Sequence, residues 1–311
     1  MSAPVPGPVT GDIDAAAVKV ALGQAEAAVA HPRDREREDA PDRFTEAVAD
    51  DFVLPPNRIG VAAATRQSLT MTGRGLLKIK HNPQQLFDVI VLPIVFTVMF
   101  STIFGGAIAG DVTSYLPLLI PGLLVQVTVA ASVITGVQLR EDLDKGVFDR
   151  FKSLPIARIA PLAGALLANA VRYVVATAIT VCVGLAMGYR PGSALGLIAA
   201  CGLVVLVAFT LSWIFALLGV LLDKASTVQG VSMLVMMPIT FVSNALVPVD
   251  SMPGWMQACA SANPVSHLVT AARELATDGS AGVEIAYTLA GALAVLAICV
   301  PITLRTYMRR T

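Results

Sequence analysis

The run LGLIAACGLVVLVAFTLSWIFALLGVLL, residues 195–222, carries no charged side chain from end to end, and its reading decides the fold. A bilayer's hydrocarbon core, about 30 Å thick, is crossed by about 20 apolar residues of helix. This run exceeds that length, and five more of the same kind flank it, at about 86–108, 116–138, 161–187, 226–248 and 284–304. An apolar share of 55%, a charged share of 14% and a mean hydropathy of +0.72 agree with a chain built mainly of such runs. The expected fold is an all-α integral membrane protein with six transmembrane helices. Short helical segments are expected in three connections: an N-terminal interfacial helix, a cytoplasmic helix between spans two and three, and an external segment before the last span.

Lysine and arginine give the spans a direction. With six crossings, one face holds Arg58, Arg66, Arg74, Lys78, Lys80, Arg140, Lys145, Arg150, Lys152, Arg158, Lys224, Arg305, Arg309 and Arg310. The opposite face holds only Arg190 and Arg273. Basic residues concentrate on the cytoplasmic side, so both termini are expected there, in a multi-pass protein of the cell membrane. The formal net charge of zero conceals an acidic stretch at residues 1–56, which includes Glu36, Glu38, Asp39 and Asp42. It is rich in Ala and Pro with little to bury, and reads as a mostly disordered cytoplasmic tail. It lacks the basic start, apolar core and cleavage site of a signal peptide. The membrane domain then occupies residues 57–311.

Several chemistries are unsupported. Cys182, Cys201 and Cys299 fall in spans and only Cys259 is expected to face outward, so no disulfide framework or metal spacing emerges. His31, His81 and His267 are scattered, and no nucleophile–base arrangement is visible. No metal, no cofactor site and no nucleic-acid partner is expected.

Three loop segments carry the functional signal. Residues 58–82 mix Ile59, Leu69, Leu76 and Leu77 with Arg66, Arg74, Lys78 and Lys80, which suits a helix lying on the inner surface against anionic lipid. Gly73 and Gly75 weaken it and mark a candidate bend. Between spans two and three, Leu139, Leu143, Val147, Phe151 and Leu154 recur at helical spacing. The other face carries Arg140, Glu141, Asp142, Asp144, Lys145, Asp149, Arg150 and Lys152, so one helix over 139–154 is expected. A lipid-binding helix would be mainly basic; this mixture suits docking into a protein surface of both signs, with a solvated helix of internal ion pairs as the alternative. Outside, Pro248, Pro253, Trp255 and the Asn263-Pro264 turn lead into Val265, Leu268, Val269, Ala272 and Leu275 at helical spacing, followed by Arg273. Two short helices dipping into the membrane could narrow an outer exit.

The loop ending Ser-Leu-Pro-Ile-Ala-Arg (153–158) resembles the cytoplasmic loop of ABC-2-type permeases, nearest the daunorubicin/doxorubicin-resistance group. The run from Phe241 to Met256, continuing through Asn-Pro-Val-Ser-His-Leu-Val-Thr-Ala-Ala-Arg-Glu-Leu (263–275), is similar to that family's pattern before its last span. The resemblance implies the transmembrane subunit of an ABC exporter, dimerising with a second permease chain and driven by a separately encoded ATPase that binds ATP and Mg²⁺. It implies a coupling role for Glu141, Asp142, Asp144, Lys145, Gly146, Phe148, Arg150 and Phe151. The chain has no G-x-x-x-x-G-K-[ST] phosphate loop, which agrees with a subunit that is not itself an ATPase.

Within the spans Gln126, Asn169, Gln229 and Asn244 either line a path or hydrogen-bond between helices. Arg172 either sits deep with a partner or snorkels to the inner surface, the preferred reading. Gly184/Gly188 and Gly192/Gly196 would let spans three and four pack closely. A secondary transporter or channel is the alternative, but Asp88 is the only candidate membrane acid and no inverted repeat is evident. The few charges in the spans suit a hydrophobic drug, lipid or lipid-like substrate.

Overall fold

A computed structural model describes residues 61–81, 83–146, 159–247, 249, 252–280 and 282–310. The acidic segment 1–56, Phe148, Arg150, Phe151 and Pro248 lie outside the described residues, as do the side chains of Lys78 and Lys80. The described elements are α1 (Val61–His81), α2 (Pro83–Ala109), α3 (Val112–Asp144), α4 (Ala160–Ala186), α5 (Ala194–Leu221), α6 (Ala225–Phe241), α7 (Gly254–Ala262), α8 (Pro264–Asp278) and α9 (Val283–Arg310). No strand occurs among the described residues.

Helices α2, α3, α4, α5 and α9 are long and apolar enough to cross a membrane. Their outward faces are apolar, with Phe87, Ile103, Val174, Ile198 and Leu293 exposed, a surface that water would disfavour and lipid accepts. The chain is therefore a multi-pass membrane protein. The run expected at 226–248 is corrected: α6 has 17 residues and stops at Phe241. It is about 26 Å long, a little short of the hydrocarbon thickness. The cause is local. Val242 N–H makes the last i→i−4 bond, to the Pro238 carbonyl; the Ser243 N–H and hydroxyl both turn to the Thr240 carbonyl three residues back, and the chain turns at Ser243-Asn244.

The 33-residue α3 is the axis of the bundle, touching α2, α4, α5, α6 and α8. Its residues Leu116, Leu119, Ile120, Leu123, Leu124 and Val125 are fully buried. Hydroxyls bridge it to α4: Thr135 Oγ1 lies 2.6 Å from the Tyr173 hydroxyl and Thr128 Oγ1 lies 3.2 Å from Thr177 Oγ1. In an apolar interior such bonds are retained because water cannot replace them. Tyr173→Phe is expected to cost about 1 kcal/mol and lower the unfolding midpoint by about 2–4 °C, measured in detergent by loss of monodisperse elution on heating.

Glycines set the close crossings. A Cβ on Gly136 would lie 2.2 Å from the Phe215 carbonyl oxygen, and one on Gly219 would lie 2.4 Å from the Gly136 oxygen, so α3 and α5 meet backbone to backbone. The expected glycine contact between spans three and four is corrected. Gly184 faces the Ile120 side chain on α3, while Gly192 and Gly196 face the Thr277 and Leu275 carbonyls on α8. Small residues permit an approach without choosing which helix makes it.

Candidate functional site

The two ends of the bundle hold different machinery. At one end α1 lies along α4: a Cβ on Gly75 would come within 2.7 Å of Ala168 Cβ, and one on Gly164 within 2.4 Å of Met71 Cβ. The expected bend at Gly73 and Gly75 is thus replaced by a helix that runs through both, with Gly75 serving the contact. Arg66, Leu69, Arg74 and Leu77 are exposed on the side away from α4, an alternation of charge and apolar surface fit for a lipid interface.

At the same end α3 runs on to Asp144, which corrects the single helix expected over 139–154. The stop is a backbone event. Gly146 takes φ +61, a left-handed conformation that glycine adopts without penalty, and its N–H bonds the Leu143 carbonyl at 3.1 Å. The charges of this last turn are paired along the helix, Arg140 with Asp144 and Glu141 with Lys145 at 3.5 Å. Arg140 also donates from Nη1 to the Leu222 carbonyl at 3.1 Å, tying the end of α3 to the end of α5. Asp142 lines a cavity of about 50 Å³ together with Gly75 and Asn169. Asn169 donates to the Ala165 carbonyl on its own helix at 3.1 Å, and its side-chain oxygen is buried without a donor.

Beside this end, α2, α3, α4 and α6 line an open cavity of about 450 Å³. Its walls include Gln85 and Asp88, Gln138 and Glu141, Arg172 and Gln229. Arg172 is only 3% exposed, so the snorkelling reading is corrected: its side chain turns into the bundle. Helix α1 packs along the Gly164–Ala168 face of α4, the face that Arg172 continues one turn on, while Leu167 and Val171 point outward in its place. Nε and Nη1 of Arg172 are buried and meet no hydrogen-bond acceptor, and Asp88 acts on the guanidinium through space rather than in contact. Gln126, elsewhere on α3, has a buried side-chain oxygen without a donor.

At the opposite end α8 packs across α3 and α5, with the short α7 against α8. Val265, Leu268, Val269, Ala272 and Leu275 form the buried face of α8, as the spacing predicts, packing with Val125 and Val129 of α3 and Ala200 and Val204 of α5. Asn263 starts α8: its Oδ1 accepts from the Val265 N–H at 2.9 Å, Pro264 follows at the first helical position, and its Nδ2 donates to the Ile239 carbonyl at 2.6 Å. Asn244 lies in the turn after α6, not in a span, and donates to Thr270 Oγ1 at 2.9 Å. Arg273 bonds the Leu118 and Asn244 carbonyls, each at 3.2 Å, and Tyr115 bonds the Leu246 carbonyl at 2.6 Å. Arg273 is therefore a staple joining α3, the turn and α8. Pro253 precedes α7, and Trp255 is 67% exposed, placing an indole where an interface would hold it.

One contact here was invisible in the sequence. His267 Nδ1 on α8 and Glu284 Oε2 in the first turn of α9 are hydrogen-bonded at 2.5 Å, with the Tyr287 ring 5.7 Å from the imidazole. Asn263→Ala removes both a helix cap and the bond to α6, and is expected to cost about 2 kcal/mol, read as a fall of about 4–8 °C in the unfolding midpoint.

Comparison with known proteins places this architecture. The family described as ABC-2 type transporter matches residues 66–276. The "Daunorubicin resistance ABC transporter permease protein DrrB1" of Streptomyces coeruleorubidus is 43% identical over 251 residues, which are 80% of this chain and 88% of that protein. The "Probable doxorubicin resistance ABC transporter permease protein DrrC" of Mycobacterium tuberculosis is 26% identical over 230 residues, 73% of this chain and 82% of the relative.

Proposed function

The chain belongs to the ABC-2 type transporter family, and from that premise we propose that it is the transmembrane subunit of an ATP-driven exporter. In this reading two permease chains, identical or related, work with two copies of a separate ATPase that holds ATP and Mg²⁺. Six crossings are proposed, with the short α6 as the fifth and both termini in the cytoplasm, in keeping with the bias of lysine and arginine. The cargo proposed is a hydrophobic drug, lipid or lipid-like compound. The resistance relatives named above support that class, and so does a bundle with few charged side chains.

The observation that carries the mechanism is the continuity of α3. One helix holds the charged turn Arg140–Lys145 at one end and, at the other, Tyr115, Leu118 and Gly122, against which the α7–α8 cap is stapled. A helix transmits an axial push or tilt over its length, about 50 Å here. Closure of the ATPases on nucleotide would press on the chain around Gly146 and on α1, and α3 would carry that displacement to the opposite cap. Glu141, Asp142, Asp144 and Lys145 would supply groups of both signs for that contact, and Phe148, Arg150 and Phe151, next in the sequence, are proposed to share in it. The cap residues Pro253, Trp255, Asn263, Pro264 and Arg273, with Pro248 ahead of them, would form the outer gate.

The test is reconstitution. Co-expressed with ABC ATPase subunits from its own genome, the chain is expected to co-purify with one of them. In lipid vesicles that pair should hydrolyse ATP faster when an anthracycline or another amphipathic drug is added. A chain that captures no ATPase and moves the drug unaided would instead be a secondary transporter.

A further inference from the structure

The cavity between α2, α3, α4 and α6 is graded along its length. Towards the α1 end its walls carry Asp88, Gln138, Glu141, Arg172 and Gln229. Deeper, the same cavity is lined by Leu92, Val127, Ala130, Ala131 and Ile134. From Glu141 to Val127 the α3 wall spans about 20 Å, comparable to an acyl chain with its head group. The volume of about 450 Å³ falls within the roughly 300–1,000 Å³ of small-molecule sites. A ligand matching this wall has a polar head at the α1 end and an apolar body pointing into the bundle.

The charges define the head. Arg172 is a nearly buried guanidinium that lines this wall, and no side chain among the described residues supplies the acceptors that its Nε and Nη1 lack, so an anionic group beside it in the cavity would compensate its charge. No carboxylate among the described residues lies within ion-pair distance of it; Asp88 is felt only through space. Asp88 and Glu141 line the same mouth, so a purely anionic head would meet two carboxylates as well as one guanidinium. A head with a negative and a positive group satisfies all of these at once. We infer that this cavity binds an amphiphile with a zwitterionic head group, its anionic group on Arg172 and its cationic group towards Asp88, its apolar body along Val127–Ile134 of α3. The site deepens the export reading by naming a cargo class, yet its occupancy depends on no ATPase.

The experiment measures retention of added ligands by the purified, delipidated full chain, using native mass spectrometry without ATP or partner. The probes are palmitoyl-oleoyl phosphatidylethanolamine, palmitoyl-oleoyl phosphatidylglycerol, dioleoylglycerol and water-soluble glycerophosphoethanolamine. Phosphatidylethanolamine is expected to bind about tenfold more tightly than the anionic lipid or the uncharged diacylglycerol, the effect of one charge-assisted contact or one repulsion. Arg172→Gln should lose about that factor, while Arg172→Lys, which keeps the charge, should retain most of the binding and guards against a folding artefact. Asp88→Asn should erase the preference over phosphatidylglycerol. Equal retention of all three lipids, or Arg172→Gln binding as the wild type does, would overturn the site. Tight binding of glycerophosphoethanolamine alone would overturn the amphiphile and leave a free zwitterion as the ligand. Because no ATPase is present, loss of binding here and failure to capture an ATPase are separate results.

Discussion

Gly122→Ala is expected to unseat the α7–α8 cap and lower the unfolding midpoint by about 6–12 °C, the equivalent of about 3 kcal/mol. The added Cβ would stand 1.8 Å from the Ala245 carbonyl oxygen and 2.7 Å from its carbon. Both atoms are backbone, so no rotamer change relieves the overlap, and either α3 or the turn after α6 must move. The turn is poorly placed to move. Tyr115 holds Leu246, Arg273 holds Asn244, and Asn244 holds Thr270. A displacement large enough to admit a methyl group would break several of these in an apolar setting where no water replaces them. Gly202→Ala is the matched control, because its Cβ would meet nothing within 4 Å. That variant should melt at or slightly above the wild-type temperature. Unchanged melting of Gly122→Ala would mean that the turn does not rest on α3.

The legible parts of this molecule were those that depend on composition or on a single period. Long uncharged runs need only length to be read as spans, and five of the six match helices of membrane-crossing length. The stripe Val265, Leu268, Val269, Ala272 and Leu275 is one helical face, and α8 buries it as expected. Readings that needed a partner's position went astray. Glycine spacing at 184–196 announced a close approach but not that α3 and α8 would make it. Arg172 looked free to snorkel because the sequence does not say which face of α4 packs along α1. The apolar period at 139–154 runs through Gly146, yet α3 ends at Asp144, because one positive φ outweighs a favourable stripe. His267 and Glu284 are separated by the turn between α8 and α9, with no periodic relation that would have paired them.

That positive φ leads to the second large effect, on function instead of folding. Gly146→Pro is expected to leave the protein folded and inserted while reducing ATP-driven transport at least about tenfold, with ATP hydrolysis by the partner continuing. Proline fixes φ near −65° against the +61° observed, and it removes the N–H that bonds the Leu143 carbonyl. It also disfavours the compact conformation of the preceding residue, where Lys145 has φ −79 and ψ 1. The chain beyond Gly146 must therefore leave α3 in a different direction. Upstream the helix is secured independently: Arg140 pairs with Asp144 and reaches the Leu222 carbonyl, and Leu139 is packed with Leu162, Leu166 and Val220. The damage is confined to the connection through which the proposed ATPase contact would reach α3. Proteoliposomes containing both subunits provide the measurement, with drug uptake and phosphate release followed in the same sample. Gly146→Ala should fall between, since a left-handed alanine costs about 1 kcal/mol without redirecting the chain. If Gly146→Pro transports as well as the wild type, force does not enter the bundle through this turn, and α1 becomes the element to examine.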